Sequence, residues 1–285
     1  MMRTSSGLRR MRMKRKLYIL LAVTALFLLA AAFAEKLCPY DPYAQSFPVL
    51  APPDFLHPAG TDRLGRDMLS RMMIGVQTGV FASLAAAAAV TVTGTCIGFL
   101  CAEKGGAAEA VLMRAADVCL AFPGMVLALA VAAVLGGGLE NAVIALAAAG
   151  WPKYARLARS LALAQKNTDY AAAARLAGDT PVQLVVRHIL PNCAGPLLVT
   201  AVLDIGTIMT ELAGLSFLGL GAAPPVPELG SMMNGGRSLL QICPWVILGP
   251  GLAVFLPVVL FNLLGDAVRD VLDPRGGQGT GRRTP

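Results

Sequence analysis

The sequence predicts an all-α, polytopic membrane protein with six transmembrane helices. Three observations carry that reading. Apolar residues make up 56% of the 285-residue chain and charged residues only 14%, where a soluble domain carries nearer to a quarter charged. Several apolar runs reach the ~20 residues that a helix needs to cross a bilayer. No segment shows the roughly ten-residue alternation of a transmembrane β-strand.

The first element is set by charge. Arg3, Arg9, Arg10, Arg12, Lys14, Arg15 and Lys16 precede the first apolar run with no acid among them. Such a cluster holds its end of the chain in the cytoplasm. It also accounts for much of the net charge of +7, which therefore does not point to nucleic acid. Residues 1–16 read as a basic cytoplasmic tail and 17–34 as the first span. Small residues at 30–34 resemble a signal cleavage site, but the run is long enough to span and later spans need a cytoplasmic start. An uncleaved anchor is expected.

Residues 35–74 form an external segment, because Pro39, Pro42, Pro48, Pro52, Pro53 and Pro58 forbid a long helix. A five-helix core follows over 75–264, with spans near 75–102, 111–134, 142–162, 195–215 and 246–264. Glu103-Lys104-Gly105-Gly106 makes an inner turn and Gly136-Gly137-Gly138 an outer one. Phe122-Pro123-Gly124 kinks the third span. Residues 265–285 return to the cytoplasm as a tail, disordered past Pro274. Both termini are thus placed inside. Lys153, Arg156, Arg159, Lys166, Arg175 and Arg187 outnumber Asp169 and Asp179 and put the region after span four on the inner side. The loop after span five holds only Arg237 and Glu228 and reads as external.

The polar island over 165–192 is the main functional feature. Residues 169–177 are alanine-rich and helix-forming, with Asp169 as N-terminal cap or dipole partner. Gly178 suits the left-handed position after a helix. Thr180-Pro181 opens a second short helix, to which Val182, Leu184, Val185 and Val186 give an apolar side. Pro191 is expected to end it before span five. A projecting helix pair of this kind is either an ordinary surface loop or a docking surface. The residues alone leave open a membrane scaffold that docks a soluble partner and an ion-coupled secondary transporter.

The island's pattern resembles the coupling motif of binding-protein-dependent ABC importer permeases. Ala173, Ala174, Gly178, Ile189, Leu190 and Pro191 fall on matching positions, and Ala172 replaces the glutamate of that motif. HPAGTDRLGRDMLSR, MRAADVCLAFP, GWPKYARLARS, AGLSFLGLG and GDAVRDVLDPR resemble further segments of the dipeptide, oligopeptide and nickel permeases, in the same order. The chain is similar to the second, short-loop permease type. The resemblance implies a MetI-like permease fold in the cytoplasmic membrane. It implies a heterodimer with a second permease, separate ATPase subunits that bind the ATP, and an extracytoplasmic substrate-binding protein. It implies a coupling loop in which Ala172, Ala173, Ala174, Arg175, Gly178, Ile189, Leu190 and Pro191 meet the ATPase, and a cargo of nickel, a metal chelate, or di- or oligopeptides.

Asp204 and Glu211 lie seven apart in span five, near one helical face. A carboxylate inside a span faces the bundle interior or an aqueous path, so both are pathway candidates, with Met209 between them. A helix-packing ion pair is the alternative. Asp62, Arg63, Arg66 and Asp67 read as a salt-bridged turn with a structural role. His57 and His188 fall on opposite sides and cannot share a metal. No cysteine pair has metal or redox spacing, although Cys38 and Cys243 could both face outward. No phosphate loop, nucleophile–base pair or zinc motif occurs. The chain is expected to be non-catalytic and to hold no cofactor of its own.

Overall fold

The computed structural model describes residues 3–272, and within them the chain is helical without named strands. Helix α1 (Arg3–Ala32) and the short α2 (Ala34–Leu37) lead into an irregular segment, then α3 (Met68–Lys104). Next come α4 (Gly106–Leu120), α5 (Gly124–Val134) and α6 (Leu139–Lys166). The island holds α7 (Asp169–Leu176) and α8 (Pro181–Leu184), and α9 (Leu190–Phe217) follows it. Helix α10 (Leu229–Gly236) and α11 (Trp245–Leu272) complete the chain. The part of the tail expected to be disordered, past Pro274, lies outside the described residues.

Four helical stretches are long and apolar enough to cross a membrane: Met11–Ala32, Met68–Lys104, Pro181–Phe217 and Trp245–Leu272. The pair α4 and α5 makes a fifth if it counts as one broken span. Helix α6, the remaining span of the sequence reading, has the length but is more polar. The expected kink at 122–124 is a full break of 99°. Pro123 has no N–H to continue α4 and adopts an extended ψ of 128°, while its carbonyl accepts from Val126 and starts α5. Gly136, Gly137 and Gly138 all have positive φ, which lets the chain reverse into α6.

Two boundaries move. The second span begins at Met68, inside the segment assigned to the exterior, because Asp67 caps it by accepting from Ser70 N at 2.8 Å. The last helix runs on to Leu272, through residues assigned to the tail.

The core is built on α6. Ala142, Ala145, Ala155, Ala158 and Ala162 are buried along it, and it shares its most extensive interface with α3. Small residues bring the two backbones together. A Cβ added at Gly94 would strike Tyr154, and one at Gly98 would strike Ala155 and Ala158. In lipid, close backbone approach is a main source of helix association, since the apolar contrast that drives it in water is absent. Two hydroxyls inside α3 bond back to their own helix: Ser83 donates to Gly79 O at 2.7 Å and Thr78 to Ile74 O at 3.0 Å.

The 62–67 turn is structural, and more buried than a surface salt bridge. Asp62 accepts from Arg66 Nε at 2.7 Å and faces Arg71 at 3.6 Å. Asp67 accepts from His57 Nδ1 at 2.9 Å, and the His57 ring packs on Tyr40 and Phe47. Arg63 makes no ion pair among the described residues. Cys38 and Cys243 are not bonded to each other: the Cys38 thiol faces Ser70 O, and Cys243 packs with Met68 and Val246.

Candidate coupling surface and membrane-embedded charges

The island is locally over-specified. Thr168, not Asp169, holds the N-cap position of α7, without a side-chain capping bond, and Asp169 sits in the first turn where its charge meets the helix dipole. At the other end Gly178 has φ +93°. Its N–H donates to Arg175 O, and that of Asp179 donates to Ala174 O, both at 3.1 Å. This pair of bonds is the Schellman stop. Two residues on, Thr180 and Gln183 exchange hydrogen bonds in a capping box that starts α8 with Pro181 in the first turn. The Asp179 carboxylate also accepts from His188 Nε2 at 2.9 Å, which ties the turn to the far end of the second helix.

Pro191 does not end that helix. A π turn over Val185–Ile189 carries α8 into α9 without a break. Leu190 N donates to Val185 O, one residue further back than in an α-helix. The extra residue in the turn accommodates the ring and missing N–H of Pro191. The second half of the island is therefore the first part of a continuous helix, Pro181–Phe217.

The predicted coupling residues divide into anchors and outward groups. Ala174 and Ile189 are buried with Ala171 and Leu184 against Tyr154, Ala158 and Ala162 of α6. Ala172, Ala173, Arg175, Gly178, Leu190 and Pro191 are exposed. Arg175 donates to Lys166 O at 3.2 Å, so part of its guanidinium closes the α6 terminus. Of the expected apolar side, Val182 and Val186 point outward while Leu184 is core. Leu176, which sequence reasoning passed over, is 91% exposed at the end of α7. Leu176, Val182, Val186 and Leu190 are the exposed large apolar residues of the island, and an apolar group of that kind is a candidate docking surface. The signal for Leu176 in the sequence is its place at the last turn of α7, just before the Gly178 stop.

Asp204 and Glu211 share no ion-pair partner. Asp204 accepts from Lys153 Nζ at 2.7 Å and from the Tyr154 hydroxyl at 2.9 Å. It is thus the α9 side of an ion pair to α6, the packing alternative of the sequence reading. Glu211 is half-buried and makes no ion pair among the described residues. Met209 is buried against Val80 and Phe261.

The α6 cations are paired, which their count along the chain did not show. Lys153, Arg156 and Arg159 lie in the helix of span four as expected, Lys166 ends the same helix, and each has a carboxylate partner. Arg156 pairs with Asp117, Arg159 with Glu109, and Lys166 with Glu103 at 3.0 Å. Two of the partners are on α4 and one ends α3. No group of three or more potential metal ligands occurs among the described residues.

Residues 94–277 match the family described as binding-protein-dependent transport system inner membrane component. The chain is 40% identical to a di/tripeptide transport system permease protein DppC of Pseudomonas aeruginosa, over 88% of this chain and 85% of that one. It is 42% identical to a glutathione transport system permease protein GsiD of Pectobacterium atrosepticum (88% and 84% covered). It is 40% identical to the nickel transport system permease protein NikC of Escherichia coli (89% and 92% covered). Among solved structures it resembles a chain of the inward-facing MetNI methionine ABC transporter, with a TM-score of 0.56. That match has 23% identity and covers 72% of this chain and 97% of that one, and it speaks for the fold alone.

Proposed function

This chain belongs to the family of binding-protein-dependent transport system inner membrane components, and from that premise we propose how it works. It is a multi-pass, non-catalytic permease subunit of an ABC importer of the dipeptide and nickel group. In our reading it moves a short peptide, nickel or a nickel chelate inward across the cytoplasmic membrane. It pairs with a second permease, receives cargo from an external binding protein, and is driven by ATPase subunits beneath the island. The basic run at the N-terminus supports a cytoplasmic location for both termini and for the island.

The observation that carries this reading is the exposed apolar group Leu176, Val182 and Val186, held on caps that fix the turn and anchored to α6 through Leu184 and Ile189. An ATPase that grips this surface pulls directly on the continuous helix Pro181–Phe217. Closure of the ATPases would then tilt that span and change which side the pathway opens to.

The test is uptake by proteoliposomes holding the chain with its partner permease, ATPases and binding protein, with labelled dipeptide and nickel ion as probes. ATP-dependent accumulation of either is the expected result. Accumulation that follows an ion gradient without ATP would instead identify a secondary transporter and overturn the proposal.

A further inference from the structure

The entrance of α3 holds more positive charge than the chain neutralises there. Asp62, Arg63, Arg66 and Arg71 line a cleft of about 80 Å³ between the 62–67 turn and α10. Three guanidinium groups thus share one carboxylate. The opposite wall, from the 224–226 loop, α10 and Val246, carries no charge. The side chains of Arg66 and Arg71 are only 12% and 6% exposed, so bulk water screens neither.

Asp62 is already saturated. Its carboxylate accepts from Leu64 N at 2.8 Å, Arg66 N at 3.0 Å and Arg66 Nε at 2.7 Å. It therefore serves Arg66, while Arg71 Nε stands off at 3.6 Å, beyond hydrogen-bond reach. Among the described residues Arg71 makes one hydrogen bond, from Nη1 to Pro42 O at 3.0 Å. Most of the N–H donors of its guanidinium are left over. Two other buried acids, Asp67 and Glu228, are engaged elsewhere. Asp67 accepts from His57 and Ser70, and Glu228 from the N–H groups of Gly230 and Ser231. Neither lines the cleft. A buried guanidinium without its counter-charge is strongly destabilising, and an anion in the cleft removes that penalty.

We propose that this cleft is a site for one small monoanion, of carboxylate or halide size, held by Arg63, Arg66 and Arg71. Arg66 and Arg71 form its buried floor, and Arg63, which is exposed, its rim. By bridging Arg63 and Arg66 of the turn to Arg71 of α3, the anion fixes the turn on the helix it starts. The volume sets this site apart from any cargo pocket, since pockets for larger organic ligands run to ~300 Å³ or more. A free ion and an acidic side chain of a neighbouring subunit present the same group, and the experiment separates them.

The purified importer complex is melted in sodium formate at constant ionic strength, balanced with the sodium salt of a bulky buffer sulfonate. A saturable rise of about 5 °C in the thermal midpoint is expected. Arg63→Gln is expected to need about tenfold more formate for the same rise. Val226 lies in the uncharged wall and is 42% exposed, so a substitution there leaves the core alone. Val226→Asp supplies the missing charge from within the chain. Without formate it should melt close to the formate-saturated unsubstituted complex, and formate should add nothing. Val226→Asn should behave as the unsubstituted chain.

This pattern in the complete importer identifies a free ion. If a neighbouring subunit supplies the carboxylate, formate leaves the complete importer unchanged, and Arg63→Gln and Val226→Asp lower the recovery of that subunit on purification. Either pattern supports the site. No response to formate with full recovery of every subunit in both variants overturns it. A Val226→Asp chain that matches Val226→Asn in melting and in recovery does the same. The readouts are a melting temperature and a subunit ratio, so a failure of ATP-driven uptake, which would strike the permease reading, is a separate result.

Discussion

Leu176→Asp is expected to reduce ATP-driven uptake by about thirtyfold, the loss that follows when a central interface residue worth ~2 kcal/mol is removed. Leu176 is 91% exposed and lies outside the core, so the substitution leaves insertion and folding alone. The acid is placed on the surface that an ATPase would have to cover, where it would be desolvated without a partner. Val182→Asp, across the Gly178 turn, should act in the same direction. ATP hydrolysis by the complex and the amount of complex recovered on purification both report the effect. Normal coupling in Leu176→Asp would mean that this face is not the docking surface. Leu184→Asp would be a poor substitute, because Leu184 is an anchor on α6 and its loss would unfold the island.

Gly98→Leu is expected to prevent α3 from seating on α6. Even a Cβ at this position meets Ala155 and Ala158. Overpacking of a tight core typically costs ~1–3 kcal/mol, and a shift of backbone against backbone costs more than a shift of side chains. Gly79→Leu is the control, since an added Cβ there meets nothing within 4 Å. The amount of folded chain recovered in mild detergent and its thermal midpoint should fall sharply for Gly98→Leu and much less for Gly79→Leu. If the two variants behave alike, the α3–α6 contact is not the one that holds the bundle.

How much of this could be read from the residues depended on the kind of signal. The island was legible because its punctuation is local: Gly178, Thr180 and Pro181 fix the stop and start of two helices whatever surrounds them. The break at Pro123 was legible as a break, but its 99° angle depends on how α5 packs on α6. Pro191 misled because a proline normally stops a helix, and the π turn that absorbs it has no strong local signature. The spacing of Gly94 and Gly98 did carry a signal for close helix approach. It went unread because α3 was treated as a span rather than as a packing surface.

The membrane charges were the hardest to read. Lys153, Arg156 and Arg159 resemble a basic flank when counted along the chain. Only the tertiary arrangement shows Asp204, Asp117 and Glu109 behind them. With those cations inside α6, the island proper keeps Arg175 and Arg187 against Asp169 and Asp179, so its orientation leans on the N-terminal cluster instead. Asp204 stands out in the sequence as a carboxylate within an apolar helix, but its partner Lys153 was not foreseeable from spacing within α9.

The most direct test of the coupling account is a photo-crosslinking residue placed at Leu176, with Ile242, also strongly exposed, as the comparison site. In the importer complex the residue at 176 should give an adduct with an ATPase subunit, and the one at 242 should give none. An adduct to the ATPase from 242, or none from 176 in a complex that hydrolyses ATP and transports, would contradict the assignment of the island as the surface through which this permease is driven.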